Sequence, residues 1–231
     1  MPQLEEVPQL EAMTWPEAEA LTRDSIVAVP IGSTEQHGPH LPLGTDSEVA
    51  VALCRRLAQR CGQVVVAPLL PYGASGEHAG FPGTVSIGSA ALASVLIELG
   101  RSLDRFDGVV FISAHGGNAD ALAEAVGTLR AEGRHILSWA PRVPGGDAHA
   151  GRTETSLMLA LKPTAVRHGQ AQAGDTRSLA ALLPRLRAEG VAAVSPNVVL
   201  GDPSGASAEE GAALLDALAD DLARAVEERW Q

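Results

Sequence analysis

Residues 25–60 read SIVAVPIGSTEQHGPHLPLGTDSEVAVALCRRLAQR, and three patterns meet in them. Residues 25–31 are a short apolar run rich in β-branched side chains, which predicts a buried strand. Residues 32–44 are polar and rich in Gly and Pro, hence a loop. From Thr45 the apolar spacing becomes helical and carries on towards Cys61, with Thr45 and Glu48 placed as a T-x-x-E capping box. A strand that feeds a loop and then a helix is half of a strand–helix–strand unit, and the pattern recurs outward from here.

Residues 64–70 predict a second strand, and YGASGEHAGFPGT (72–84) a long loop of a kind that in compact domains is usually functional. Residues 89–106 predict a helix with Leu92, Val95, Leu96 and Leu99 on its apolar face. Residues 108–114 form a continuous apolar run, as in a strand buried on both faces. His115, Gly116, Gly117 and Asn118 turn the chain into a helix over 119–133, with Asn118 placed to cap it. A fourth strand over 135–140, a loop over 141–154 and a short helix over 155–161 follow. Residues 177–190 look helical, 191–203 extended, and 208–230 form an amphipathic helix. Strands alternating with helices define an α/β protein with a mostly parallel sheet.

The chain has 231 residues, 45% of them hydrophobic, enough to bury a core in a single domain spanning 1–231. The net charge of −11 is the wrong sign for attraction to nucleic acid or an anionic membrane surface. No run approaches the ~18 apolar residues of a spanning helix. The acidic start, MPQLEEVPQLEAMTWPEAEA, lacks the basic and apolar regions of an export signal. Cys54 and Cys61 lie seven apart on one predicted helix, which at ~1.5 Å per residue puts their α-carbons about 10 Å apart, too far for a disulfide. They read as free thiols in a reducing cytoplasm.

Chemistry-bearing residues collect after the strands. Glu35, His37, His40 and Asp46 fall within twelve residues. Glu35 and His37, two apart in an extended segment, point to one side, and Asp46 in the first helical turn faces back towards them. Each has an ordinary explanation alone, as a surface loop residue or a carboxylate complementing a helix dipole. Together they form a set of metal donors. His115 sits at the carboxyl end of the third strand, the edge where open α/β sheets bind ligands. Asp147, His149 and Glu154 form a further cluster, although Glu154 also suits a helix cap. Glu77 and His78 read equally as substrate contacts or loop scaffold, and Asn118 belongs with them. His135 and His168 receive no role. Lys162 is the single lysine, so no G-x-x-x-x-G-K-[ST] phosphate loop exists, and neither G-x-G-x-x-G nor G-x-S-x-G occurs.

The segments PIGSTEQHGPHLPLGTD, GEHAGFPGT, SAHGGN and HAGRTETS resemble the creatininase family of metal-dependent amidohydrolases. The tail GVAAVSPNVVLGDPSGASAEEG, with YGASGEH and GGDAHAG, is similar to the family's mycofactocin-system branch of peptidases. The resemblance implies a three-layer α/β/α sandwich, a homohexamer and two divalent ions, Fe2+ or Zn2+ with Mn2+ possible. It implies that Glu35 and His115 hold one ion, His37 the other, and that Asp46 bridges them. Creatininase proper has a glutamate where this chain has Gly117, so Glu154 is the expected replacement ligand and joins His149, the expected proton donor, in the catalytic set. The implied substrate is a modified precursor peptide, cleaved to free its carboxyl-terminal crosslinked Val-Tyr-derived dipeptide. A small-molecule amidase acting on creatinine or a formamide, and a silent metal-binding scaffold, are the competing expectations.

Overall fold

The computed structural model describes residues 7–21 and 23–230; residues 1–6, which open the stretch read for an export signal, lie outside them. Four strands, β1 (Ile26–Ile31), β2 (Val64–Val66), β3 (Gly108–Ser113) and β4 (Ile136–Trp139), form a parallel sheet in the order β2-β1-β3-β4. The helices are α1 (Trp15–Leu21), α2 (Thr45–Arg60), α3 (Ser89–Ser102), α4 (Ala119–Ala131), α5 (Arg152–Leu161), α6 (Leu179–Glu189), α7 (Val191–Val194) and α8 (Ala208–Trp230).

Successive side chains of β1 and β3 point to opposite faces, and each face has its own core. Ile26, Ala28, Val110 and Ile112 pack with Leu53 and Leu57 of α2 and Leu218 and Leu222 of α8. Val27, Val29, Ile31, Val109 and Phe111 pack with Leu92 and Leu96 of α3 and Leu122, Val126 and Leu129 of α4. Helices on both faces make three α/β/α layers. Burial on both sides explains why β1 and β3 are apolar without alternation.

The strand order decides where chemistry can collect. From β1 the chain moves outward to β2, then returns across β1 to β3 on its other side, so the order reverses between β1 and β3. Ligands of open α/β sheets bind in the crevice at the carboxyl ends of strands flanking such a switch point. Here Ile31 of β1 pairs with Ser113 of β3, so the loops starting at Gly32 and Ala114 leave the sheet side by side. Gly32 allows α2 to start against the end of β1: a Cβ there would lie 2.6 Å from the Ser47 Cα and 2.8 Å from its nitrogen.

Several local expectations are corrected. The capping box does not form: Gly44 holds the cap position, the Thr45 hydroxyl donates to the Pro42 carbonyl (2.8 Å), and Glu48 pairs with Lys162 (2.5 Å). Helix α3 stops at Ser102 because the chain must turn into β3, with Asp107 N–H donating to the Ser25 carbonyl (3.0 Å), and Val95 is exposed on its surface. Helix α5 begins at Arg152, three residues early, because the Asp147 carboxylate accepts from the N–H groups of Arg152 and Thr153. Residues 191–194 are helical, and α1 had no periodic signal long enough to announce it. Both cysteines are free and buried.

Candidate metal centre

The loop after β1 folds Glu35 and His37 into the crevice, each fully buried. His37 Nδ1–H donates to the Glu35 carbonyl (3.1 Å), which leaves Nε2 facing Asp46 Oδ1 at 3.2 Å. Asp46 faces two ways. Its Oδ2 accepts from the Ser33 hydroxyl (2.6 Å) and lies 3.4 Å from His115 Nδ1. His115 Nε2 is 3.2 Å from Glu35 Oε2, so Glu35, Asp46 and His115 form one convergent set. His37, His149 and Glu154 form a second, with Glu154 Oε2 3.8 Å from His37 Nε2. Glu35, His78 and His149 form a third.

The structure therefore brings Glu35, His37, Asp46, His115, His149 and Glu154 together, and adds His78 at full depth. His78 is 4% exposed, with Nε2 3.3 Å from Glu35 Oε1. Glu154 also ties its own helix start, its Oε2 accepting from Ala150 N–H (2.6 Å). Glu77 lies on the cavity rim. His40 stands apart, its Nε2 2.9 Å from the Thr155 hydroxyl. Asp147 is occupied in capping α5, and His135 lies near a groove at the opposite edge of the sheet.

Asn118 does not cap α4, because its amide is used elsewhere. Its Oδ1 accepts from Ala74 N–H (2.9 Å) and its Nδ2 donates to the Gly32 carbonyl (3.1 Å) and the Ser113 hydroxyl (3.1 Å). One buried amide thus ties the 72–84 loop to the ends of β1 and β3. Asn118→Ala would leave these groups unsatisfied, at about 1–3 kcal/mol for each buried orphan. Chemical denaturation is expected to show a loss of at least about 2 kcal/mol; an unchanged midpoint would remove Asn118 from this role.

Sequence reasoning missed Gln36. Strict alternation points it away from Glu35 and His37, but the loop turns and buries it. Gly38 N–H donates to Gln36 Oε1 (3.0 Å), which leaves the side-chain nitrogen 2.5 Å from His78 Nδ1. The Gln36 backbone carbonyl accepts from His149 Nε2 (3.0 Å), so His149 Nδ1 faces inward, 3.9 Å from Glu35 Oε1.

Electrostatics are those of a site short of positive charge. Burial lifts the Glu35 carboxyl to about 7 against the pull of His115, and both its oxygens are buried without a hydrogen-bond partner. Burial likewise raises Glu154 to about 7, opposed by His37. Burial disfavours charge on His37, yet Asp46 and the neighbouring carboxylates lift it to about 10. Asp46 is pushed up by burial but held well below the usual carboxylate range by His37 and His115. Burial and His115 push His78 down to about 3, and burial and His37 push His149 well below its ordinary value, so both rings are neutral. His115 is lowered by burial but raised overall by Glu35 and Asp46. Orphaned carboxylate oxygens beside the neutral rings of His78 and His149 fit divalent cations, which take such mixed donors.

This gives a pH prediction with a definite sign. Cation uptake requires deprotonated ligands. Below pH 7 it must displace protons from Glu35 and Glu154 as well as from His37 and from His115, which Glu35 and Asp46 raise against the effect of burial; above pH 7 the two carboxyl protons are gone and only imidazolium protons are left to displace. Protons released per protein are expected to fall as pH rises from 6 to 8.5 while apparent affinity increases. Calorimetry in buffers of different ionisation enthalpy measures both, and pH-independent release would contradict the assignment.

The centre opens into a cavity of about 820 Å³. Its floor is Asp46, His78, His115, His149 and Glu154, and one wall is Leu179, Leu183 and Leu186 of α6. Asp120 and Glu189 add further acidity, and among the described residues no Lys or Arg lines it.

A parallel α/β sheet carrying a buried carboxylate–imidazole cluster at its switch point has the donor sets of a metal-dependent α/β protein. The chain belongs to the creatininase family: the family model described as creatinine amidohydrolase matches residues 11–226. It is 50% identical over 213 residues to the mycofactocin precursor peptide peptidase of Mycolicibacterium smegmatis, covering 89% of this chain and 85% of the relative. It is also 50% identical over 220 residues to the protein of that name from Mycobacterium tuberculosis, covering 90% and 86%. Among solved structures, a creatinine amidohydrolase superposes with a TM-score of 0.84 at 28% identity, covering 97% of this chain and 98% of that one. A manganese creatininase gives 0.81 at 27% identity over 96% and 98%, and a Zn–Zn mutant creatininase 0.80 at 26% over 97% and 98%.

Proposed function

We propose that this chain is a cytoplasmic metal-dependent peptidase that hydrolyses an amide bond near the carboxyl end of a modified precursor peptide and frees the crosslinked Val-Tyr-derived dipeptide. The observation that carries the metal dependence is Glu35, whose two buried oxygens have no hydrogen-bond donor and converge on His78 and His115. The peptide substrate is supported by the names of the relatives at 50% identity and by a cavity larger than a small cyclic amide requires.

In this reading Glu35, Asp46 and His115 would hold one divalent ion, and His37 and Glu154 the other, with Asp46 between them. Zn2+, Fe2+ and Mn2+ all suit these donors, and iron or zinc is the proposed pair. Such ions supply Lewis acidity and ionise water near neutral pH. His149 moves the proton: held neutral, it takes at Nδ1 the proton given up by the attacking water and returns it to the leaving nitrogen as the C–N bond breaks. The leucines of α6 receive apolar and aromatic side chains, while Asn118 holds the loop bearing Glu77 and His78 in place. The chain works as one domain, assembled as a homohexamer.

The test is incubation of metal-loaded protein with the enzymatically processed precursor peptide, followed by mass spectrometry. Release of the modified dipeptide is expected, and its loss after chelation. Turnover of creatinine or formamide with the peptide left intact would overturn the substrate. Metal binding without hydrolysis of any amide would overturn catalysis altogether.

A further inference from the structure

We infer that Glu77 is a metal ligand on the Glu35–Asp46–His115 side of the centre, occupying the space that the missing side chain of Gly117 leaves. The inference rests on the reading of the site as a two-ion centre. A Cβ at Gly117 would lie 2.4 Å from His115 Nε2, 2.4 Å from the Ala74 carbonyl and 2.6 Å from Glu77 Oε1. Position 117 is therefore bare by necessity, and beside the His115 ring and the Ala74 carbonyl the third group crowding its side-chain space is a carboxylate from a different loop.

Three features mark that carboxylate as a ligand rather than a neutral filler. Glu77 Oε1 is 3.7 Å from His115 Nε2 and 4.0 Å from His78 Nε2. Those separations are too long for hydrogen bonds, but ligands about 2.0–2.2 Å from one ion stand about 3–4 Å from each other. Its placement is enforced: Glu77 lies in the 3-10 turn Gly76–His78, and Asn118 pins that loop at Ala74. Its side chain is 32% exposed and lines the cavity, whereas those of Glu35 and Asp46 are buried, so it is the ligand on the substrate side. With Glu35, Asp46 and Glu154 it brings about four negative charges to two divalent cations, a neutral assembly in a site that burial makes intolerant of net charge.

The experiment is metal titration of chelator-stripped protein with Zn2+, read by competition with a chromophoric chelator, and with Co2+, read by its visible absorption. Wild type is expected to take up two ions. Glu77→Gln, which preserves shape, is expected to weaken one ion tenfold or more and to change the Co2+ spectrum, leaving the other ion at wild-type affinity. Glu77→Asp should recover part of the loss. Asp120→Asn, which removes a carboxylate elsewhere on the cavity wall, should bind both ions as wild type does, and circular dichroism reports whether each variant is folded. Two wild-type affinities in folded Glu77→Gln would overturn the role of Glu77 and leave the two-ion reading standing. A wild-type protein that binds a single ion or none would overturn that reading, and this inference with it.

Discussion

Asp46→Ala is expected to abolish uptake of both ions and to reduce kcat/KM by at least about 10³-fold, because Lewis-acid stabilisation contributes several kcal/mol to such a reaction and each 1.36 kcal/mol is tenfold. The reason is geometric. Asp46 touches both sides of the centre, His37 at 3.2 Å through Oδ1 and His115 at 3.4 Å through Oδ2. Its loss also leaves His37 buried without its strongest anionic neighbour. Glu154→Gln, by contrast, removes a donor from the His37 side only and should weaken one ion. Elemental analysis of both variants separates the cases. Two full equivalents bound to Asp46→Ala would end the bridged two-ion arrangement.

The second large effect concerns the end of the substrate. With carboxylates on its floor and rim and no Lys or Arg among its described lining residues, the cavity offers a terminal carboxylate no cationic side chain away from the metal centre. Burying such a group unpaired costs several kcal/mol. Two synthetic peptides identical except for the carboxyl-terminal carboxylate should therefore differ at least about 100-fold in kcat/KM, the decarboxylated one being faster. A carboxyl-terminal amide should behave like the decarboxylated peptide. Equal rates for the acid and the decarboxylated form would show that charge at this end is not read by the cavity.

Much of this was legible in the lettering, for physical reasons. β1 and β3 were visible because both faces are covered, which makes them unbroken apolar runs, and α8 because it has one wet face. Convergence of Glu35, His37, Asp46 and His115 followed from a general property of parallel sheets, namely that strand-end loops share one edge. Other features had no local signal. Gln36 and His78 meet at 2.5 Å although they stand 42 positions apart in the chain, and nothing in either segment encodes that contact. Asn118 has the composition of a helix cap and becomes a tie between three segments only in three dimensions. The capping box failed because Gly44 took the cap position while the Pro42 carbonyl and Lys162 offered Thr45 and Glu48 other partners.

The candidate donors of this centre come from five stretches of chain, around residues 35–37, 46, 78, 115 and 149–154, and Glu35 and Glu154 are each repelled by the Asp46 carboxylate, a repulsion that a cation would relieve. Occupancy is thus a fastening as well as a reagent: binding to the folded state alone raises its resistance to heat and proteolysis by mass action. On the proposed two-ion reading, starvation of metal would loosen this stitching together with the chemistry, and cellular abundance is expected to track the supply of the ion.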